Sequence, residues 1–333
     1  MLPFEEKLAS IPRLSLAAYP TPLDPLPRLS AELGRPVYIK RDDSLGPALG
    51  GNKTRKLEYL LADAQRRRQQ KVVTFGGLQS NHARLTAAAA NQLGMQAHLL
   101  YFEKRPRQLT GNLALNQLLG ARMHFIPFGG GGGMTLEASV RLARLVAWLL
   151  VGRHYFIPVG GHNWLGCLGY VRAALEIDDQ ARALGLENAH LVLAAGSGGT
   201  LAGLWAGLTL RRSSIQLLGI DVGKLWKAFP LSVASLSTEI CRRLAQPQVF
   251  SPRQVPLIEA TYVGARYGAP SPAGQAALQR LARAEGILLD PIYTAKAFAG
   301  LLGEMAQGRL GQNDPVIFLH TGGLPALFAS THP

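Results

Sequence analysis

A lysine stands at the junction between a glycine pair and an amphipathic helix in the stretch Gly50-Gly51-Asn52-Lys53-Thr54-Arg55-Lys56-Leu57-Glu58-Tyr59-Leu60. Glycine permits positive φ angles and close approach of the backbone, and a helix start supplies unpaired N–H groups and a positive dipole end. A lysine amine in such a place resists protonation and can stay nucleophilic, as Schiff-base chemistry requires. Taken alone, the stretch is better explained by a solvated lysine. The functional interpretation of Lys53 therefore depends on the motifs that follow.

The bulk composition is that of a globular protein. The chain of 333 residues is long enough for about two domains, and 47% of its residues are hydrophobic. The N-terminus has no basic segment followed by an apolar one, and the longest apolar run, residues 145–151, is too short to span a bilayer. Cys167 and Cys241 form neither a disulfide framework nor a metal-binding pattern. We therefore expect a cytoplasmic protein without a membrane partner or a bound metal.

The net charge of +14 is high for an enzyme that acts on small molecules. It raises the alternative of a nucleic-acid partner. The basic residues, however, are mostly arginines spread over helical patterns, and none of the basic runs alternates with aromatic residues. We expect solvated helix faces and no nucleic-acid partner, with a positive field that favours an anionic cofactor or substrate.

Short apolar runs alternate with longer helical patterns along nearly the whole chain. The predicted strands cover residues 37–39, 72–75, 97–101, 123–127, 191–195, 217–220, 257–261 and 316–319. The predicted helices cover residues 55–68, 81–93, 110–119, 136–150, 164–184, 200–212, 231–244, 272–284 and 295–307. Such alternation predicts an α/β fold with open, mostly parallel sheets flanked by helices. The glycine run 129–133 lacks a phosphate-loop signature and is interpreted as a surface loop.

A second polar motif, Gly76-Gly77-Leu78-Gln79-Ser80-Asn81-His82, follows the predicted strand 72–75. Ser80 and Asn81 fit a helix N-cap, which alone would explain them. Parallel sheets, however, present their binding loops at the carboxyl ends of strands. The motif carries more polar side chains than a cap needs, which indicates a binding loop.

A third motif, Gly196-Ser197-Gly198-Gly199-Thr200, separates an apolar strand from a helix. Small residues let backbone N–H groups converge, and the helix N-terminus adds partial positive charge, so the loop fits a phosphate. It has no P-loop lysine, which disfavours nucleoside triphosphate hydrolysis.

Three further residues complete the constellation. Thr321 precedes Gly322-Gly323 after the last apolar strand, where its hydroxyl can bond a ring nitrogen without transferring a full charge. Tyr267 and Tyr293 lie in the segments RYGAP and DPIYTAKA; either tyrosine alone fits a half-buried core residue. A reactive lysine, a phosphate loop and polar strand ends together match the needs of pyridoxal 5′-phosphate.

The sequence at this point resembles a known family, the fold type II (tryptophan synthase β-like) pyridoxal-phosphate enzymes. Within it, the chain is similar to the branch of 1-aminocyclopropane-1-carboxylate deaminases and D-cysteine desulfhydrases. The resemblance covers nearly the whole chain, and its most specific segment is GGNKTRKLEYL. It implies two domains with the cofactor in the cleft between them: a large domain of residues 1–54 and 161–333, and a small domain of residues 55–160. It also implies a homodimer.

The resemblance assigns roles residue by residue. It makes Lys53 the Schiff-base lysine, Asn81 the partner of the ring 3′-oxygen and Thr321 the partner of the pyridine nitrogen. Ser80 matches a residue that holds the substrate carboxylate or assists proton movement, and Tyr267 and Tyr293 match the two active-site tyrosines. The implied phosphate ligands are Lys56, Gly196, Ser197, Gly198, Gly199 and Thr200. The implied substrate contacts are Ser80, Asn81, His82, Gly161 and Thr294.

Two positions distinguish activities within the branch. The cyclopropane-opening deaminases carry a glutamate directly after the second tyrosine and a leucine before the final glycine pair, where this chain has Thr294 and Thr321. A neutral threonine beside the pyridine nitrogen supports a weaker electron sink, which suits expulsion of a good leaving group such as thiolate. The resemblance thus favours β-elimination from D-cysteine, with aminocyclopropane carboxylate and L-cysteate as alternative substrates. A catalytically silent binding protein is the alternative from another class.

Two segments depart from the pattern of the desulfhydrases. Asn163 and Trp164 replace small hydroxyl residues after a glycine pair, and they either reshape the substrate pocket or merely start the next helix. The segment 224–249 carries no recognised motif and is a candidate for substrate specificity.

Overall fold

The computed structural model describes residues 2–127, 135–259 and 261–329, and the glycine run 129–133 lies outside them. The strands are β1 (Leu23–Pro25), β2 (Val37–Arg41), β3 (Lys71–Phe75), β4 (Gln96–Tyr101), β5 (Arg122–Phe125), β6 (Tyr155–Phe156), β7 (His190–Ala195), β8 (Gln216–Asp221), β9 (Leu257–Ile258) and β10 (Val316–His320). The α-helices are α1 (Pro3–Ser10), α2 (Pro27–Leu33), α3 (Lys53–Arg66), α4 (Asn81–Gln92), α5 (Asn112–Leu118), α6 (Leu136–Val151), α7 (Trp164–Ala183), α8 (Gly199–Arg211), α9 (Phe229–Arg243), α10 (Pro272–Glu285) and α11 (Thr294–Ala306).

These strands form two sheets. The larger has the order β1-β2-β10-β7-β8-β9, and the smaller has the order β5-β4-β3-β6. Every strand pair is parallel except β1 with β2, which is antiparallel. The predicted α/β class with mostly parallel sheets is therefore confirmed.

Helices cover both faces of each sheet, because successive strand residues point to opposite sides. In β7, Leu191 and Leu193 pack toward α7, α8 and α9, whereas Val192 packs toward α10 and α11. In the smaller sheet, Val72 faces α3 and α4, whereas Val73 faces α6. Strands buried on both faces read as continuous apolar runs, which is why they are visible in the sequence.

The connections position the functional loops. The strands of the smaller sheet all lie between residues 71 and 156, within the predicted small domain of 55–160; the division into domains remains a prediction. The chain leaves β3, β7 and β10 at their carboxyl ends and enters the polar motifs at residues 76–82, 196–200 and 321–323. None of the described helices is long and apolar enough to cross a bilayer.

Candidate active site

The polar motifs meet at a cleft of about 740 Å³, counted with its open mouth. Its lining combines the start of α3 with the loops that follow β3, β7 and β10. The sequence-predicted residues that line it are Lys53, Ser80, Asn81, His82, Gly196, Ser197, Gly198, Thr200, Tyr267, Tyr293 and Thr321. Four sequence-predicted residues lie outside the lining: Lys56, Gly161, Gly199 and Thr294.

Lys53 is the first residue of α3, and it lines the cleft. Burial, and next the positive charge of Lys56, lowers the pKa of Lys53 to about 7. A large fraction of this amine is therefore neutral near neutral pH. A neutral amine is the nucleophile that an aldehyde requires.

Asn52 connects this lysine to the glycine-rich loop. Its Oδ1 accepts a hydrogen bond from Lys53 Nζ at 2.9 Å, and its Nδ2 donates to Thr200 Oγ1 at 3.1 Å. The side chain thereby fixes the amine relative to the start of α8. This role of Asn52 is not evident from the sequence, because its partner Thr200 lies 148 residues further along the chain.

The loop between β7 and α8 forms an anion cradle. Helix α8 begins at Gly199 without a side-chain cap, so its first N–H groups remain available to a ligand. Gly198 has φ of +81°, and a Cβ atom added there would lie 2.7 Å from Val233 Cγ2. Only glycine fits this position, which lets the backbone turn sharply into the helix.

Substitution Gly198→Ala should weaken binding of pyridoxal phosphate by about tenfold or more, because the added methyl must displace Val233 and distort the cradle. Gly185→Ala is the matched control: φ is +65° there, and no atom lies within 4 Å of the added Cβ. Both variants carry the strain of a positive φ, so the difference between their dissociation constants for pyridoxal phosphate reports the effect of the added methyl on the cradle. Titration of each apoenzyme by cofactor absorbance would measure it; equal dissociation constants for the two variants would contradict the assignment.

Lys56, Gly161 and Gly199 do not line the cleft, and their roles as ligands of the phosphate or the substrate stay predictions. Lys56 is fully buried, and its Nζ donates to the carbonyl of Gly160 at 3.0 Å. A Cβ at Gly199 would lie 2.8 Å from this Nζ, and one at Gly161 would lie 3.1 Å from Lys56 Cδ. Lys56 thus supplies positive charge from beneath the loop, and Gly161 makes room for its side chain.

The loop after β3 contributes Ser80, Asn81 and His82. Ser80 is the N-cap of α4, where its Oγ accepts from the N–H of Ala83 at 3.2 Å, and it also lines the cleft. His82 bonds Thr74 Oγ1 at 3.0 Å through Nε2. Burial, followed by the charges of Lys53 and Lys56, holds the pKa of His82 well below its usual range. His82 is therefore a neutral imidazole in the wall of the site.

Tyr267 and Tyr293 face each other in the cleft and share a hydrogen bond between their hydroxyls. Their rings pack edge to face, with centroids 6.1 Å apart. Burial raises the pKa of both phenols above the ordinary value. Both hydroxyls therefore stay protonated near neutral pH and can donate a proton or a hydrogen bond.

Asp290 positions the second tyrosine. Its carboxylate accepts the backbone N–H of Tyr293 at 2.9 Å and that of Thr294 at 3.0 Å. Burial raises the pKa of Asp290 to about 6, against the opposing effect of these hydrogen bonds. This role of Asp290 is not evident from the sequence, because the motif DPIYTAKA gives no sign of which side chain the carboxylate orients.

Thr294 does not line the cleft, and its role as a substrate contact stays a prediction. It is fully buried at the first residue of α11, and its Oγ accepts the N–H of Asp290 at 2.8 Å. A side chain at position 294 therefore points to the Asp290 turn. Thr321 lines the cleft, and its carbonyl accepts from the N–H of Asn52 at 3.1 Å.

The two departures from the family pattern are structural. Asn163 is the N-cap of α7, with its Oδ1 accepting from the N–H of Gly166 at 2.8 Å. The guanidinium of Arg243 lies 4.8 Å from the Trp164 ring centroid, in a cation–π arrangement. Neither residue lines the cleft. From the segment 224–249, Val233 packs against Gly198 and so supports the cradle from outside.

The cleft fits pyridoxal phosphate on its own chemistry. The uncapped start of α8 suits a phosphate dianion, and Lys56 places a buried positive charge behind it. Lys53 offers a neutral amine for the aldehyde, and Thr321 offers a hydroxyl at the far strand end. A reactive lysine and an anion cradle thus share one cavity.

Comparison with known proteins defines the class. Residues 14–322 match the model of the family described as "Pyridoxal-phosphate dependent enzyme", so the chain belongs to this family of enzymes. The chain is 41% identical over 338 residues to a D-cysteine desulfhydrase of Serratia proteamaculans, covering 99% of this chain and 98% of the relative. It is also 41% identical over 334 residues to a D-cysteine desulfhydrase of Salmonella choleraesuis, covering 98% of each.

A solved structure agrees with the fold. The crystal structure of an ACC deaminase homologue superposes with a TM-score of 0.87 at 37% identity, covering 98% of this chain and 97% of that chain. Diaminopropionate ammonia lyase of Escherichia coli, at 17% identity and a TM-score of 0.67, shares the fold alone. The prediction that the chain is a fold type II pyridoxal-phosphate enzyme is confirmed.

Proposed function

We propose that this enzyme is a D-cysteine desulfhydrase, which converts D-cysteine and water to pyruvate, hydrogen sulfide and ammonia. The observation that carries the proposal is the 41% identity to D-cysteine desulfhydrases over nearly the full length of both chains. The cleft supports it with a low-pKa lysine, an anion cradle and a pair of protonated tyrosines.

When bound, pyridoxal phosphate supplies the electron sink that stabilises negative charge at the substrate α-carbon. The cradle at residues 196–200 would hold the phosphate, and Asn81 would bond the ring 3′-oxygen. Lys53 would hold the aldehyde group, and its neutral Nζ would be the base that accepts the α-proton. A positioned base of this kind contributes about 10²–10⁴-fold to the rate.

The remaining polar groups match expulsion of sulfur. Ser80 lies beside the first N–H groups of α4, where a substrate carboxylate is favoured. Tyr267 and Tyr293 are protonated phenols, so they serve as proton donors to the departing sulfur and not as the base. The neutral hydroxyl of Thr321 would bond the pyridine nitrogen and would support a modest electron sink, which suits a thiolate leaving group.

A panel of substrates with product identification tests the proposal. The holoenzyme is given D-cysteine, L-cysteine, L-cysteate and 1-aminocyclopropane-1-carboxylate, and sulfide, sulfite, ammonia, pyruvate and 2-oxobutyrate are measured separately. We expect sulfide and pyruvate in equal amounts from D-cysteine. Preferential 2-oxobutyrate would assign the deaminase activity that the ACC deaminase homologue suggests. Preferential sulfite would assign L-cysteate, and no product from any compound would favour a non-catalytic role.

The pH dependence of cofactor capture follows from the Lys53 pKa of about 7, lowered mainly by burial. The neutral amine is the reactive form, so the rate should rise as pH increases through 7 and level off above about 8. An exposed lysine, with a pKa near 10.4, would keep gaining rate up to about pH 10. Stopped-flow absorbance after mixing apoenzyme with pyridoxal phosphate measures the profile. A rate still rising tenfold per pH unit at pH 9 would contradict it.

The cellular setting completes the proposal. The proposed enzyme acts in the cytoplasm as a homodimer. Its substrate is a small amino acid, and it has no nucleic-acid partner. The resemblance of the whole chain to its branch of the family supports this setting. Light scattering of the holoenzyme should give twice the mass of one chain at micromolar concentration. A monomer mass under these conditions would overturn the homodimer.

A further inference from the structure

Asn112 touches the active-site loop from outside the cleft. It is the first residue of α5 and is fully buried. Its backbone N–H donates to Gln79 Oε1 at 2.8 Å, and its Nδ2 donates to Asn81 Oδ1 and to the Gln79 carbonyl, both at 2.9 Å. Its Oδ1 accepts from Arg84 Nε at 2.7 Å. One amide therefore joins the start of α4 to a buried guanidinium.

The chemistry of these groups fixes the direction of every bond. A guanidinium has five donors and no acceptor, so Asn112 must turn its oxygen toward Arg84. The NH₂ group of Asn112 then faces Asn81, and because NH₂ can only donate, Asn81 must present its oxygen in return. Asn81 Nδ2 is left for the cleft, and it forms no hydrogen bond within the part of the chain that the structure describes.

Arg84 extends the connection to the loop that precedes Lys53. It is fully buried and donates to the carbonyls of Ala48 and Gly50, the latter at 3.0 Å. Ala48 and Leu49 have φ angles of 48° and 67°, an unfavourable conformation that needs such support. Among the described residues, no carboxylate pairs with Arg84 to compete for its donors.

We propose that Asn112 is a positioning residue that, oriented by Arg84, forces Asn81 to present a hydrogen-bond donor to the cleft. A donor matches an anionic oxygen, which in the proposed function is the 3′-oxygen of the cofactor; the inference rests on that function for this ligand. Asn112 would then act on cofactor affinity only through the side chain of Asn81. Asn112 does not line the cleft, so a comparison restricted to cleft residues would not include it.

Substitution Asn112→Asp reverses the polarity while keeping the shape. Aspartate still accepts from Arg84, but its side chain offers no N–H to Asn81. Asn81 then turns its own NH₂ toward the carboxylate at position 112 and its oxygen toward the ligand. We expect the dissociation constant of the apoenzyme for pyridoxal phosphate to rise about tenfold or more. Asn112→Ala removes the constraint without reversing it, so its effect should be smaller, and it serves if the aspartate variant does not fold.

Asn116→Asp is the matched control. Asn116 lies one turn further along α5, is equally buried, and donates through Nδ2 to the Tyr101 hydroxyl. This variant should bind the cofactor within about twofold of the parent protein. Equal loss in the two aspartate variants would show a general effect of buried charge on α5 and would overturn the proposal.

A double-mutant cycle with Asn81→Ala decides the question. If Asn112 acts through Asn81, Asn112→Asp should change the dissociation constant by less than about twofold once the Asn81 side chain is removed. An undiminished tenfold loss in that background would mean that the added negative charge acts directly on the ligand, and the proposal would fail. These measurements use cofactor affinity alone, so failure of D-cysteine turnover in the parent enzyme would refute the proposed function separately.

Discussion

Replacing Lys53 with alanine should lower turnover of D-cysteine by about 10⁴-fold or more. This single substitution removes both the covalent attachment of the cofactor and the base that removes the α-proton. Its cleft keeps the cradle and the tyrosine pair, so cofactor still binds but without the visible absorbance of the lysine adduct. The rate of pyruvate and sulfide formation measures the loss of turnover. Borohydride reduction with peptide mass mapping measures the loss of the covalent attachment.

Lys7→Ala provides the matched control, because Lys7 is an exposed lysine on α1. This variant should keep the activity, the absorbance band and the borohydride label of the parent enzyme. Partial rescue of Lys53→Ala by added methylamine would separate the loss of an amine from distortion of the site. Parent-like turnover by Lys53→Ala, or a label that persists elsewhere, would refute the assignment of Lys53.

Parallel sheets place the loops that follow their strands on one edge, so part of the candidate site can be predicted from the sequence. The motifs at residues 76–82, 196–200 and 321–323 each follow an apolar strand, so their convergence could be predicted without coordinates. The short elements β1, β6, α1 and α2 were not predicted, since their own residues show no clear apolar run or helical period.

The residues that sequence reasoning missed act through long-range contacts. Asn52 bonds Thr200 across 148 positions, and Asn112 bonds Asn81 across 31. The orientation of Thr294 depends on the phase of α11, which turns its side chain toward Asp290 and leaves it outside the cleft lining. Residue type predicts which chemistry is available, whereas helix phase and tertiary contacts determine where each side chain points.

The substitution with the largest expected effect on stability is Arg55→Met, on the same helix as Lys53. Arg55 is 2% exposed, and its guanidinium bonds Asp42 and Glu176, each at 2.8 Å. These contacts tie α3 to α7 and to the turn after β2. Methionine fills a similar volume but leaves both carboxylates without their main partner, so we expect the free energy of unfolding to fall by about 3–5 kcal/mol.

Arg242→Met is the control, because Arg242 forms an exposed ion pair with Glu239 on α9. Such pairs contribute about 0–1 kcal/mol, so urea unfolding of the two apoenzyme variants should differ clearly. A loss below about 1 kcal/mol in Arg55→Met would show that the buried network does not stabilise the fold. Arg55→Lys, which keeps the charge but cannot bond both carboxylates, should fall between the parent protein and Arg55→Met.

The pH dependence of this network identifies the group responsible. Burial alone would raise the pKa of Glu176, but hydrogen bonding and charge from Arg55, with a contribution from Lys40, lower it to about 2. A depressed carboxylate pKa contributes stability that is complete above the unfolded value of about 4.3 and is lost as pH falls through about 2. The stability gap between the parent protein and Arg55→Met should therefore be constant from pH 6 to 8 and narrow below about pH 4. A gap that stays unchanged at pH 3 would place the effect in packing around Arg55 and not in the Glu176 carboxylate.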